Sequence, residues 1–145
     1  MNAMRLYLAQ TDTTVGFLSQ DSALLARAKE RSPSQPFLIT YDSFASFKKD
    51  NRAPTKHKNR IRRAKKSTFI VKNRASRIAK EALHVSFLRR FGWMYSTSAN
   101  KTGERFDYAF ATKRADIVIE DSRGLFEQSA SAIYSLSNRT LRRVR

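Results

Sequence analysis

Short apolar segments alternate with amphipathic ones along the chain, which predicts a mixed order of strands and helices. Residues 5–9 and 15–19 are mostly apolar and each predicts a strand. The next stretch, DSALLARAKER, opens with Asp21 as a helix cap and spaces its apolar residues along one face of a helix. Lys29 and Arg31 would end that helix.

The remaining chain continues the same alternation. PFLIT predicts a strand, DSFASFKKD a short helix, and STFIVK a strand that follows a long basic connector. KEALHVSFLRRFG predicts an amphipathic helix with Gly92 as its C-cap, and residues 93–97 predict the strand after it. ADIVIED, SAIYSL and TLRRVR are later strand candidates. Without internal repeats or long linkers, this order predicts a single α/β domain over residues 1–145.

Composition narrows the classes of partner. The chain has 145 residues, 41% of them hydrophobic, and a net charge of +17. A chain that is apolar enough to fold and this basic is expected to meet polyanions: nucleic acid, nucleotide phosphates or an anionic membrane surface. No run approaches the roughly 20 apolar residues of a membrane span, and the start lacks a secretory leader, so a cytoplasmic location is expected.

Several common chemistries are excluded or disfavoured. Cysteine is absent, which excludes disulfides, thiol nucleophiles and cysteine-based zinc sites. The four glycines are too dispersed for a P-loop or a GxGxxG fingerprint. His57 and His84 have no carboxylate or second histidine at ligand spacing, so no metal site is predicted.

The basic connector is a candidate RNA contact. Between Arg52 and Arg74 the chain has ten Lys or Arg residues and no Asp or Glu. Such a density favours phosphate backbones through counterion release, although a solvated, mobile loop explains it equally well. The last seven residues, RTLRRVR, fit either a charge-protected edge strand or part of the same face. The RNA-binding candidates are Lys56, Lys58, Arg60, Arg62, Arg63, Lys65 and Lys66.

A small polar loop, STSANKTGE, follows the predicted strand 93–97. It offers a hydroxyl and an amide to sugar or phosphate oxygens, and Gly103 allows close backbone approach. By itself the loop also fits an ordinary turn.

This loop closely resembles the Ser-x-Asn region of the YrdC family, the threonylcarbamoyl-AMP synthases. TDTTVG resembles that family's Thr-Asp/Glu-Thr opening, and Lys29 with Arg31 resembles its Lys-x-Arg motif. STFIV, SRIAKEAL and SASAIYSL resemble three further segments in the family's order, so the similarity covers nearly the whole chain. The family's Pro-Gly-Pro turn is replaced by RRAKKST, and Ala130 and Ser135 stand where proline and aspartate are usual. The first strand is expected so near residue 1 that no counterpart of the family's first helix is predicted within these residues.

The resemblance implies a twisted, mostly mixed or antiparallel sheet with helices packed on one side of it and a basic concave face. It also implies synthesis of threonylcarbamoyl-AMP and pyrophosphate from threonine, bicarbonate and ATP, with Mg²⁺ carried by the phosphates, for downstream tRNA-modification proteins. Lys29 and Arg31 would be catalytic, and Thr13 and Thr68 would bind threonine. The implied ATP-binding residues are Lys29, Arg31, Arg77, Ser98, Asn100 and Ser131.

Other interpretations of the same residues stay open. A non-catalytic module that binds double-stranded RNA or tRNA on the same fold would also explain the charge. Cations at a helix C-terminus are favourable without any ligand, which alone would account for Lys29 and Arg31. Asp12 is interpreted as a structural turn cap. The synthase hypothesis predicts that Lys29→Ala, Arg31→Ala or Asn100→Ala removes most pyrophosphate release and leaves the fold intact.

Overall fold

A computed structural model describes all residues, 1–145, and contains one nine-stranded mixed sheet. The strand order is β7-β1-β2-β6-β3-β5-β4-β8-β9. The strands are β1 (Tyr7–Gln10), β2 (Val15–Ser19), β3 (Leu38–Tyr41), β4 (Ser67–Val71), β5 (Arg74–Ile78), β6 (Trp93–Ser98), β7 (Ile117–Ile119), β8 (Ala132–Leu136) and β9 (Leu141–Arg143).

Five α-helices connect these strands. They are α1 (Ser22–Lys29), α2 (Phe44–Asp50), α3 (Lys58–Arg63), α4 (Ala82–Leu88) and α5 (Tyr108–Arg114), and a single 3₁₀ turn (Thr55–His57) precedes α3. Side-chain oxygens of the preceding residue cap four of the helices, because the first backbone N–H groups of a helix have no partner within it. These caps are Asp21, Ser43, Glu81 and Asp107.

The sheet separates two sets of helices. Phe17 packs in the cluster that includes α1 and α5, whereas its strand neighbour Leu18 packs with α4. Successive residues of a strand point to opposite faces, so α1 and α5 cover one face and α4 the other. α2 and α3 lie on the same face as α1 and α5. Tyr95 shows this, because it packs against both the hydrophobic cluster of α1 and that of α2 and α3. α4 covers only part of its own face, and the remainder is open.

The prediction of a mixed α/β fold is confirmed. The expectation of helices on one side of the sheet is wrong, because α4 packs on the face opposite α1 and α5. Several elements also differ from the expected ones. The basic connector is not one long loop, because residues 55–63 form the 3₁₀ turn and α3, with Ile61 buried. β5 and α5 were not predicted. α4 ends at Leu88, before the expected C-cap, and Gly92 with φ of 82° ends the turn that leads into β6.

No helix of the chain combines the length and the apolar character needed to cross a bilayer.

Candidate active site

A polar cleft of about 280 Å³ lies on the face of the sheet that α4 covers only in part. It lies where β2, β6, β3 and β5 run side by side, and the turn between β1 and β2 closes one side of it. Hydroxyl groups and guanidinium groups dominate its surface. The lining residues are Thr11, Thr13, Thr14, Gly16, Arg31, Pro36, Phe37, Leu38, Arg77, Ser96, Thr97, Ser98, Ala130, Ser131 and Arg145.

Arg77, on β5, places a charge in the floor of this cleft. It is 4% exposed, and its Nη1 donates a hydrogen bond to Thr13 Oγ1 at 3.0 Å. No carboxylate forms an ion pair with it, and its Nε has no partner. Burial lowers the pKa of Arg77 to about 10, against the opposing effect of Asp12, so it stays charged at neutral pH. A buried charge is costly unless it is paired, so this position favours an anionic ligand.

Two further guanidinium groups line the cleft. Arg31 lies over the Phe37 ring, 4.0 Å from its centroid, and donates to the Pro36 carbonyl at 2.8 Å. Arg145 donates from Nε to the Ser131 carbonyl at 3.0 Å. No Asp or Glu is among the lining residues, so the lining has three positive charges and no negative charge.

Lys29 lies beneath the loop after β6. Its ammonium donates to the carbonyl oxygens of Ser98 at 3.0 Å and Asn100 at 2.5 Å, and the residue is only 6% exposed. The Asn100 side chain in turn donates to the Glu104 carbonyl at 2.8 Å. Lys29 therefore fixes the backbone that presents Ser98 to the cleft, and it does not itself line the cleft.

Burial, with a smaller effect from Arg31, lowers the pKa of Lys29 to about 8 from its ordinary 10.5. Between these two pH values the unfolded chain holds a proton that the folded chain has released, so stability rises with pH there. We expect the free energy of unfolding of the wild type to rise relative to Lys29→Met between pH 7 and pH 9.5. Denaturant titrations of both proteins at the two pH values measure this, and a constant difference would contradict it.

A pair of hydroxyls closes the opposite side of the cleft. Thr68 Oγ1 lies 2.7 Å from Ser131 Oγ, and both residues are buried. Ser131 lines the cleft, and Thr68 lies directly behind it.

Asp12 anchors the turn between β1 and β2 to the start of α4. Its carboxylate accepts hydrogen bonds from the backbone N–H groups of Lys80 at 2.6 Å and Glu81 at 3.2 Å. These contacts agree with a structural cap, and they keep Thr13 next to Arg77.

Because two backbone N–H groups depend on Asp12, we expect Asp12→Ala to lower the free energy of unfolding by about 2 kcal/mol. Thermal or denaturant unfolding measures this. Asp21→Ala is the matched control, since it removes one exposed capping bond and should cost about 1 kcal/mol. Equal losses in the two variants would argue against the anchoring role of Asp12.

The structure brings some of the sequence-predicted residues together and places others behind them. Thr13, Arg31, Arg77, Ser98 and Ser131 line the cleft, whereas Lys29, Asn100 and Thr68 support it. Ten further lining residues were not predicted from the sequence as site residues. These are Thr11, Thr14, Gly16, Pro36, Phe37, Leu38, Ser96, Thr97, Ala130 and Arg145.

Gly16 keeps the cleft open at the centre of the sheet. A Cβ on this residue would lie 3.1 Å from both Thr11 Cγ2 and the Thr97 carbonyl oxygen, which is tighter than ordinary contact. The glycine in the TDTTVG motif could have predicted this position. For Arg145, the only signal in the sequence is that it belongs to a basic segment.

Neither histidine belongs to the cleft. Burial lowers the pKa of His84 to about 3, so its imidazole is neutral, and neither ring nitrogen has a hydrogen-bond partner. His57 is buried with Nε2 3.1 Å from the Ser137 carbonyl oxygen.

Solved structures share this architecture over almost the whole chain. E. coli YciO superposes with a TM-score of 0.78 at 17% identity and covers 98% of this chain and 82% of its own. Sua5 of P. abyssi superposes with a TM-score of 0.76 at 16% identity, covering 97% of this chain and 52% of its own. The chain has the YrdC-like fold. No protein-family model and no curated protein matches the sequence, so the similarity is one of fold.

Two further structures with this YrdC-like fold contain ligands. One is P. abyssi Sua5 complexed with L-threonine, with a TM-score of 0.75 at 16% identity over 97% of this chain and 50% of that one. The other is full-length HypF in a phosphate- and nucleotide-bound form, with a TM-score of 0.75 at 16% identity over 97% of this chain and 22% of that one. This chain therefore spans about half the length of Sua5 and a smaller part of HypF.

Proposed function

We propose that the cleft binds ATP and threonine and that the protein synthesises threonylcarbamoyl-AMP for tRNA modification. The proposal rests mainly on Arg77, which is buried in the cleft without a carboxylate partner. Two more arginines line the same cleft. Substrates that bring a carboxylate and a polyphosphate complement such a site. The Sua5 complex with L-threonine and the nucleotide-bound HypF give the same ligand classes a precedent on this fold.

The proposed chemistry joins three substrates. The ammonium group of threonine and bicarbonate give a carbamate, with loss of one water molecule and one proton. A carbamate oxygen then bonds to the α-phosphorus of ATP as the bond from that phosphorus to its bridging oxygen breaks, and pyrophosphate leaves. Such a reaction depends chiefly on placement and charge neutralisation.

Each cleft residue has a role in this proposal. Arg31 and Arg145 would neutralise the phosphates, and Arg77 would hold either the threonine carboxylate or the carbamate in the cleft floor. Ser98 and Ser131 would donate to substrate oxygens from opposite walls. Thr13, which orients Arg77, and Thr68, which bonds Ser131, would shape the threonine side. Lys29 and Asn100 would act by fixing the loop that carries Ser98.

The residues present do not form a magnesium site of their own. No group of three or more His, Asp or Glu side chains is placed to hold a metal ion. The cleft instead suits a triphosphate, which brings oxygen ligands for Mg²⁺ with it.

The test is pyrophosphate release from ATP by the purified protein with bicarbonate and Mg²⁺, with and without threonine. We expect release that requires threonine. Release at the same rate without threonine, or none from folded protein, would contradict the proposal.

A second candidate function is RNA binding, which the net charge of +17 favours. A basic recess of about 290 Å³ adjoins the cleft at Thr11, and Lys65, Lys66 and Lys80 line it. This candidate predicts an affinity for tRNA that falls steeply with salt concentration. An affinity that does not change with salt would exclude it.

A further inference from the structure

A second groove, distinct from the cleft, lies on the opposite face of the sheet. It has a volume of about 390 Å³ and runs between α3 and strands β4 and β8. Its floor residue Phe69 packs in the same cluster as Ile61 of α3, whereas the adjacent Thr68 contacts the cleft residue Ser131 on the other face. The lining residues are Asn59, Arg60, Arg63, Ala64, Ser67, Phe69 and Tyr134.

The wall that α3 contributes is cationic. Arg60 and Arg63 are three residues apart, so their side chains share one face of the helix. Both are exposed, and neither belongs to any of the chain's ion pairs. Arg143 of β9 lies directly opposite Tyr134 in the β8–β9 ladder and adds a third guanidinium on that side. No carboxylate lines the groove.

The floor of the groove is aromatic. The Phe69 and Tyr134 rings stack with centroids 5.8 Å apart and planes inclined by 25°. Phe69 is buried, and Tyr134 is half-buried and borders the groove. A tyrosine at the margin of a core is ordinary, and so is an exposed arginine in a chain with 29 Lys or Arg and 12 Asp or Glu residues. The groove is distinguished by having both over one surface, with two arginines above an aromatic floor.

We infer that this groove binds unpaired nucleotides of a single-stranded RNA segment. Proteins that bind single strands combine cations along the backbone with aromatic rings for the bases, which is the combination found here. Arg60 and Arg63 contact phosphates, and Tyr134 contacts a base. A duplex keeps its bases paired inside the helix and away from the groove floor, so the aromatic floor favours unpaired nucleotides as the occupant. The inference rests on the RNA-binding candidate and is independent of synthase activity.

The seven predicted RNA-binding cations therefore do not form one surface. Arg60 and Arg63 line the groove behind the sheet, while Lys65 and Lys66 line the recess beside the cleft.

The test measures fluorescence anisotropy of a labelled uridine octamer and of a 12-base-pair RNA duplex over a range of salt concentrations. For the octamer, Arg60→Gln with Arg63→Gln should reduce the slope of log affinity against log salt by about 1.4, from two lost phosphate contacts. Tyr134→Leu should weaken octamer binding roughly tenfold, and Tyr134→Phe should retain it. Neither change should affect the duplex more than the control does.

The matched control is Arg89→Gln with Arg90→Gln, an exposed pair that follows α4 on the other face. It should leave octamer affinity within about twofold of the wild type. Because Tyr134 borders the core, the exposed arginine pair tests the groove even where Tyr134→Leu fails to fold. If the wild type binds the octamer and both arginine pairs have equal effects, the groove assignment is wrong. If the wild type binds neither RNA, the RNA-binding candidate fails with it.

Discussion

Arg77→Met is expected to lower threonine-dependent pyrophosphate release about 100- to 1,000-fold, the range seen when one preorganised donor is removed from an active site. The buried guanidinium has no carboxylate partner, so its charge is available to a ligand. For the same reason, stability should change little or rise: replacing a buried charge by an apolar side chain of similar length is often neutral or stabilising. Kinetic assays and thermal unfolding measure the two effects.

Arg74→Met is the matched control for this prediction. Arg74 lies on the same strand but is exposed, and it donates to the Asp50 carbonyl at 3.1 Å. The Arg74→Met variant should release pyrophosphate at a rate within about twofold of the wild type. A large fall in the melting temperature of Arg77→Met, with the rate per folded molecule unchanged, would show that Arg77 is structural.

Lys29→Met is expected to impair both stability and activity. The change leaves the half-buried carbonyls of Ser98 and Asn100 without their ammonium donor, which should cost about 2 kcal/mol in the free energy of unfolding at pH 7. Activity should fall as well, because the loop that presents Ser98 loses its anchor. The family resemblance instead predicts that replacing Lys29 removes activity and leaves the fold intact.

Arg27→Met is the control, since Arg27 is an exposed cation in the last turn of the same helix. It should cost no more than a few tenths of a kcal/mol. Wild-type stability of Lys29→Met combined with lost activity would show that the Lys29 ammonium acts on the ligand and not on the loop.

The sequence predicted the elements whose apolar residues follow a regular period. β2 and α1 are examples, with bounds close to those expected. β5 was missed because Ser76 and Arg77 occupy two of its buried positions, so the segment has no apolar alternation. α3 was missed for a related reason: Ile61 is its one buried residue, and its arginines hide that signal.

The candidate site was predictable only in part. The Thr-Asp-Thr turn and the Ser-x-Asn loop are local motifs, and the structure brings Thr13 and Ser98 to one cleft. The position of Lys29 depends on carbonyls 69 and 71 residues further along the chain, which helix spacing does not reveal. Arg145 enters the cleft because β9 pairs with β8 and the chain then returns to Ser131.

The most direct test of the proposed function follows labelled carbon. Protein incubated with ¹⁴C-bicarbonate, ATP, Mg²⁺ and threonine should form a nucleotide product that carries the label, in a 1:1 ratio to the pyrophosphate released, and should form none without threonine. Pyrophosphate without labelled nucleotide, or no labelled product from folded protein that binds ATP, would contradict the assignment of this cleft as a threonylcarbamoyl-AMP synthase site.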